Sequence, residues 1–129
     1  MAMTTTTVAA GHVTAVEPPD AAACLFHAFS DPSRIAILRH LRLGDHRVTD
    51  LTAHLGLAQS TVSKHLACLR DCRLVESRPV GRASMYSLLH PEALDSLFAA
   101  AEKLLDLTGE AVTLCDNHGV AALAEKRDR

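Results

Sequence analysis

Cys68 and Cys72 stand four residues apart in "HLACLRDC", a stretch with helical periodicity. On a helix, positions i and i+4 share a face, with Cβ atoms about 5–6 Å apart. Two thiolates at that spacing can chelate one ion through short metal–sulfur bonds. Two ligands alone make a weak site, so a third donor is required. The stretch "LCDNH" offers Cys115, with Asp116 and His118 beside it. Three soft sulfurs favour Cd(II) or Pb(II) over hard cations, and Zn(II) would want a fourth ligand. Cys24 lies beside Leu25 and Phe26 on an apolar stripe and reads first as a small core residue.

The residues just before the thiols point to a different chemistry. Gln59, Ser60, Thr61, Ser63 and Lys64 crowd the start of the same helix. All can hydrogen-bond base edges or phosphates. Val62, Leu66 and Leu69 fall on the opposite face and read as core, at about 100° per residue. Thr61, His65, Cys68 and Cys72 form one stripe, so the metal face runs into the DNA-reading face, and His65 joins the DNA-binding candidates. Arg78 and Arg82 flank a turn downstream and could grip the phosphate backbone.

Charge supports a polyanion partner. The formal net charge is −2, yet residues 34–82 carry nine Lys/Arg against four acids. Acidic segments lie on both sides. A basic middle between acidic arms suits a nucleic-acid-binding module.

The elements that must position these residues follow from periodicity and punctuation. Residues 1–19 are Thr- and Ala-rich without a period and read as a disordered lead-in. A first helix covers "DAAACLFHAFS". A second starts at Ser30 or Asp31 with Pro32 in its first turn, buries Ile35, Leu38 and Leu41, and stops at Gly44. A short helix runs through "VTDLTAHLGL", capped by Thr49 and ended by Gly56. The thiol-bearing helix comes next. "LVESR" and "SMYSLL" flank "PVGRA" and read as a β-hairpin. A long helix from about Pro91 to Thr113 carries Leu94, Leu97, Phe98, Ala101, Leu104 and Leu105. The fold class is mainly α with a β-hairpin wing, a winged helix-turn-helix over 20–113, followed by a tail, 114–129, holding the third ligand candidate.

"FSDPSRIAILRHL" followed by "VTDLTAHLGLAQSTVSKHLACLRDCRLVESRPVGRASMYSL" resembles the ArsR/SmtB family of metal-sensing winged-helix repressors, over about residues 21–107. The resemblance implies a homodimer joined through its first and last helices. It implies repression on operator DNA in the apo state and release when metal binds. The thiols resemble those of the family's cadmium/lead sensors, which take two cysteines from the recognition helix and a third from the C-terminal region. On that likeness Cys68 and Cys72 are ligands, with Cys115 reaching them from the other subunit. Some relatives use an N-terminal cysteine, which keeps Cys24 as a candidate fourth ligand. Two other family sites look absent. "RVTDL" lacks the Cys-x-Cys of one. Lys103 stands where the last-helix zinc site needs a histidine, although His90, Glu92 and Asp106 remain. Histidines 12, 27, 40, 46 and 54 show no convergent spacing.

Other classes fit poorly. No apolar run approaches the roughly 20 residues of a spanning helix. The N-terminus has neither the basic start nor the apolar block of a secretory signal, so a cytoplasmic protein without a membrane partner is expected. There is no nucleotide loop, no Cys-x-x-Cys and no oxyanion-type glycine cluster, so an enzyme is not expected. A redox switch through a Cys68–Cys72 disulfide is the alternative, disfavoured by the strain of closing one within a helix.

Overall fold

The structure, a computed structural model, describes residues 18–114. Of the lead-in expected over 1–19, residues 1–17 lie outside the described residues, as do Cys115, Asp116 and His118, while residues 18 and 19 already belong to the first helix. Five helices and three strands follow in the order α1 (Pro18–Ala28), α2 (Pro32–Leu43), β1 (His46–Arg47), α3 (Val48–Leu55), α4 (Gln59–Asp71), β2 (Val75–Val80), β3 (Ala83–Leu88) and α5 (Pro91–Leu107). No described helix is long and apolar enough to cross a membrane.

Local chemistry accounts for most boundaries. Asp31 caps α2, its Oδ1 accepting from the amides of Ser33 at 2.7 Å and Arg34 at 3.3 Å, with Pro32 in the first turn. Burial alone would raise the Asp31 pKa. The two amide bonds and the nearby His65 and Arg34 charges outweigh it and lower the carboxyl below its usual range. Thr49 does not cap α3. The N-cap lies two residues earlier, at Arg47, whose amide donates to Asp50 Oδ2 at 3.0 Å. Gly56 ends α3 at φ 68°, a left-handed conformation in which an L side chain is strained.

Helix α4 ends in a Schellman turn. The Leu74 amide donates to Leu69 O at 3.0 Å and the Arg73 amide to Arg70 O at 2.9 Å. The left-handed residue in that turn is Arg73, at φ 63°. The same motif stops α5 six residues before the sequence-based end at Thr113. Gly109 takes φ 87°, and Glu110 N donates back to Leu105 O. Past the turn, the Leu114 amide donates to the buried Glu102 carboxylate, so residue 114 is tied back onto α5.

The core joins α2, α3, α4 and the base of the hairpin. Ile37, Leu38, Leu51, Val62, Leu66 and Leu69 are fully buried, and Leu94 and Phe98 of α5 close one side. Ile37 rather than Ile35 is the deeply buried residue of α2, Ile35 being half-buried. Phe29 packs edge-on to Phe98 at 5.8 Å. Arg42 of α2 donates a forked pair to Asp95 of α5, the shortest contact 2.7 Å. The hairpin pairs Val75 with Leu88 through Val80 with Ala83, and the short β1 adds to its other side through His46↔Tyr86 and Arg47↔Met85. Sheet order is β1-β3-β2, antiparallel throughout. Two-residue β1 is too short to show a period, so sequence reading missed it. The arrangement is a winged helix-turn-helix.

Candidate thiol site and nucleic-acid interface

Helix α4 carries both sets of candidate residues. At its start, Gln59, Ser60, Ser63 and Lys64 are exposed and Thr61 is half-buried. Helix α3 and the Gly56 turn hold this end outward, while Val62, Leu66 and Leu69 seat the other face in the core. Beside it lies a cleft of about 320 Å³ between the start of α3 and the wing, lined by Arg47, Thr49, Gln59, Arg82, Ser84 and Tyr86. Arg47 and Thr49 are additions to the set read from sequence; only the packing of α3 against the wing brings them there. Arg82 stands exposed at the hairpin tip beside Gly81, which takes φ 62°. Arg78 is on the wing as expected but donates to Asp45 Oδ2 at 2.9 Å, which pins β2 to the loop before β1.

His65 does not join this exposed set. Its Nδ1 is 3.3 Å from Arg34 and its Nε2 3.8 Å from Asp31, so the ring turns inward toward the start of α2. Arg34 explains the pull. Its guanidinium is buried, with Nε donating to Ala28 O at 3.0 Å and a terminal nitrogen to His27 O at 2.8 Å. Those carbonyls end α1, where helix-end carbonyls need donors, and His27 O also accepts from the Ser30 amide at 3.0 Å and the Ser30 hydroxyl at 2.7 Å. One side chain thus fastens the C-terminus of α1, the first turn of α2 and the middle of α4.

The thiols lie one turn further along α4. Cys72 is its C-cap residue, and its amide donates to Cys68 O at 3.1 Å. Both side chains are half-buried. Cys24 of α1 meets them: its Sγ stands 3.4 Å from Cys72 Sγ, and the Cys72 thiol points at Cys24 O at 3.6 Å. Cys24 is exposed rather than buried in the core, as its apolar neighbours had suggested. The Cys72 thiol is pushed up to about 12, first by burial, then by its hydrogen bond with Cys24 and by repulsion from the Cys24 and Cys68 thiolates. Three thiols this close cannot ionise together without a cation among them. Among the described residues no three His, Cys, Asp or Glu side chains are placed so that they could hold a metal ion together. The donor set itself suits a soft ion: sulfur only, partly dried, with one open side at Cys24.

Comparison with known proteins agrees with this architecture. Residues 31–77 match the model of the "Bacterial regulatory protein, arsR family". The chain is 35% identical over 82 residues to a probable mercury resistance operon repressor of Streptomyces lividans, covering 64% of this chain and 66% of that one. It is 47% identical over 68 residues to the HTH-type transcriptional regulator CmtR of Mycobacterium tuberculosis, covering 53% and 58%. The chain therefore spans less than two thirds of the length of either relative. Among solved structures it is similar to M. tuberculosis Rv0081, with a TM-score of 0.64, 31% identity and coverage of 73% of this chain and 96% of that one. With a helix-turn-helix, a wing and relatives of this kind, the chain belongs to the ArsR family of bacterial regulatory proteins.

Proposed function

We propose that this protein is a metal-responsive transcriptional repressor that holds operator DNA as an apo homodimer in the cytoplasm. A soft ion, Cd(II) or Pb(II), with Zn(II) also to be tested, releases it by binding cysteine thiolates. The observation that carries the reading is the meeting of Cys24 with Cys72, one turn beyond Cys68, on the helix whose other end faces the basic cleft. The relatives named for mercury resistance and as CmtR support a metal effector.

Each part of the chain has a task. Gln59, Ser60, Thr61, Ser63 and Lys64 read base edges and nearby phosphates, while Arg47, Arg78 and Arg82 hold the backbone. Phe26 on α1 and Leu104 and Leu107 on α5 are 60%, 64% and 74% exposed. Apolar side chains that open to water fit a second copy docked on α1 and α5. Cys68 and Cys72 are ligands, and Cys24 stands closest to being the third. Cys115 of the partner subunit is the further donor, with Leu114 tied to Glu102 at the point where that segment leaves α5. A bound soft cation supplies the positive charge that lets neighbouring thiols lose their protons together. Drawing Cys24 toward Cys72 pulls α1 against α4 across the Arg34–His65 joint, which sets how α4 is presented to DNA. A coupling of about 1–3 kcal/mol would change operator affinity roughly 5–150-fold, and operator would weaken metal binding by the same factor.

The test is a Cd(II) titration of the reduced protein, followed by thiolate-to-metal absorption and by operator release. One ion per subunit is expected, with the band lost in Cys68→Ser and Cys72→Ser and weakened in Cys24→Ser and Cys115→Ser. Normal release by Cys72→Ser would refute the assignment. The 3.4 Å contact also favours a second reading, a redox switch. A peroxide would join Cys24 and Cys72 in a disulfide between two helices, its two oxygens leaving as water. Release by peroxide and not by Cd(II) would select that reading.

A further inference from the structure

His65 lies on α4 with only 16% of its side chain exposed. Two charged groups of α2 meet its two ring nitrogens. Arg34 Nη1 stands 3.3 Å from Nδ1, and Asp31 Oδ1 stands 3.8 Å from Nε2. On α4 itself the preceding Lys64 is exposed. Helix α1 enters the joint through the Ala28 and His27 carbonyls, which Arg34 holds. Among the described residues no charged side chain of α1 or α3 forms a hydrogen bond or ion pair with the ring.

The two neighbours make opposite demands. A guanidinium only donates, so it requires a bare Nδ1 and a neutral ring with its proton on Nε2. A carboxylate favours a charged ring. Imidazole is the side chain that ordinarily titrates between pH 5 and 8. Asp31 keeps its charge throughout that range, its carboxyl lying below the usual carboxylate values. The geometry holds the neutral ring, because the Arg34 contact is within hydrogen-bond reach and the Asp31 contact is too long for one. A proton taken from water fills the Nδ1 lone pair. The bond from Arg34 is then lost, two donors oppose each other, and the pull toward Asp31 grows. Arg34 is only 9% exposed, so water is poorly placed to replace that bond.

We infer that His65 is a proton toggle at the joint of α1, α2 and α4: neutral, it holds α4 to Arg34; protonated, it leaves Arg34 for Asp31, and acid loosens the seat of α4. Asp31 Oδ1 already caps α2 through the Ser33 amide at 2.7 Å, so the new pair draws on the carboxylate that starts that helix. Thr61 and Lys64 share the same stretch of α4, which carries the change to the residues facing DNA. The effect on DNA rests on the proposed role of α4 in reading it. The toggle does not, and neither needs the thiols.

The experiment uses the full chain, reduced and free of metal. A duplex is first selected by the protein from a random pool at pH 7.5, and its Kd is then measured at pH 7.5 and 5.5 at fixed salt. Wild type is compared with His65→Gln, whose amide offers an acceptor and a donor as the neutral ring does and takes up no proton. Relative to His65→Gln, wild type should lose affinity about 5–10-fold on acidification. The same pH dependence in both proteins overturns the toggle. Nitrogen NMR of the wild-type ring, without DNA, tests it separately. A bare Nδ1 at pH 7.5 that gains a proton on acidification, with the Arg34 side-chain signals shifting at the same pH, supports it. A proton on Nδ1 at pH 7.5, or Arg34 signals indifferent to the titration, overturns it. If no duplex is selected, the DNA role of α4 fails and the NMR alone decides the toggle, as it does if His65→Gln does not fold.

Discussion

The sulfur of Cys24 lies 3.4 Å from the sulfur of Cys72, across 48 residues of chain. Helix α1 therefore touches the C-terminal end of α4 through two thiols, while its own C-terminus is fastened to the same helix through Arg34 and His65. The two contacts flank one helix-helix joint. Any change at the thiols acts on a joint already braced a turn away.

Cys72 should be slow to alkylate. With its pKa pushed up to about 12 against an ordinary 9.0, far less thiolate is present near neutral pH. Each unit of pKa is tenfold in thiolate, and a more basic thiolate recovers part of the loss in reactivity, so labelling on the order of 10–1,000 times slower than a free thiol is expected. Mass-spectrometric mapping of iodoacetamide labelling at pH 8 checks it, and Cys72 labelling as fast as an unfolded control contradicts it. The sign for stability follows. The raised pKa favours the folded state below about pH 9, and that contribution is lost as pH climbs toward 12. Metal affinity should rise with pH over the same range, because binding expels the proton.

Arg34→Ala should cost about 1.5–3 kcal/mol in urea denaturation, since charge-assisted bonds to two helix-end carbonyls are lost and Ala28 O stays buried, while His27 O keeps its Ser30 donors. Arg34→Lys should recover less than half, because one ammonium cannot span His27 O, Ala28 O and His65 together. A wild-type midpoint for Arg34→Ala would show that the joint contributes nothing.

Arg73→Gly should stabilise the protein. An L residue in the left-handed region costs about 1–2 kcal/mol, and glycine's larger unfolded-state entropy returns part of it, leaving a gain of about 0.5–1 kcal/mol. Thermal unfolding measures it. A loss of stability would mean that the Arg73 side chain makes a contact worth more than the strain.

On DNA, Arg82→Ala and Arg47→Ala should weaken binding across all sequences and each lower the salt dependence by about one ion. Gln59→Ala should relax preference at one base and leave the salt slope alone. Equal effects of Gln59→Ala on every operator variant would place Gln59 on phosphate.

The amino-acid order by itself determined the helices, the hairpin and the pairing of Cys68 with Cys72. Each depends on residues a turn or a strand apart: apolar spacing in α4, Gly81 in the hairpin turn, Gly56 after α3. The early end of α5 had a local signal too, Gly109, but the apolar run past it looked helical. Tertiary structure alone decided the rest. Periodicity says that a face is covered and not by what, so Cys24 read as core until α1 was laid against α4. The wheel put His65 with the DNA readers, and buried Arg34 drew it inward. His40 of α2, His46 of β1 and His54 of α3 belong to no motif. They meet because α2, α3 and β1 are packed side by side, which sequence spacing does not show.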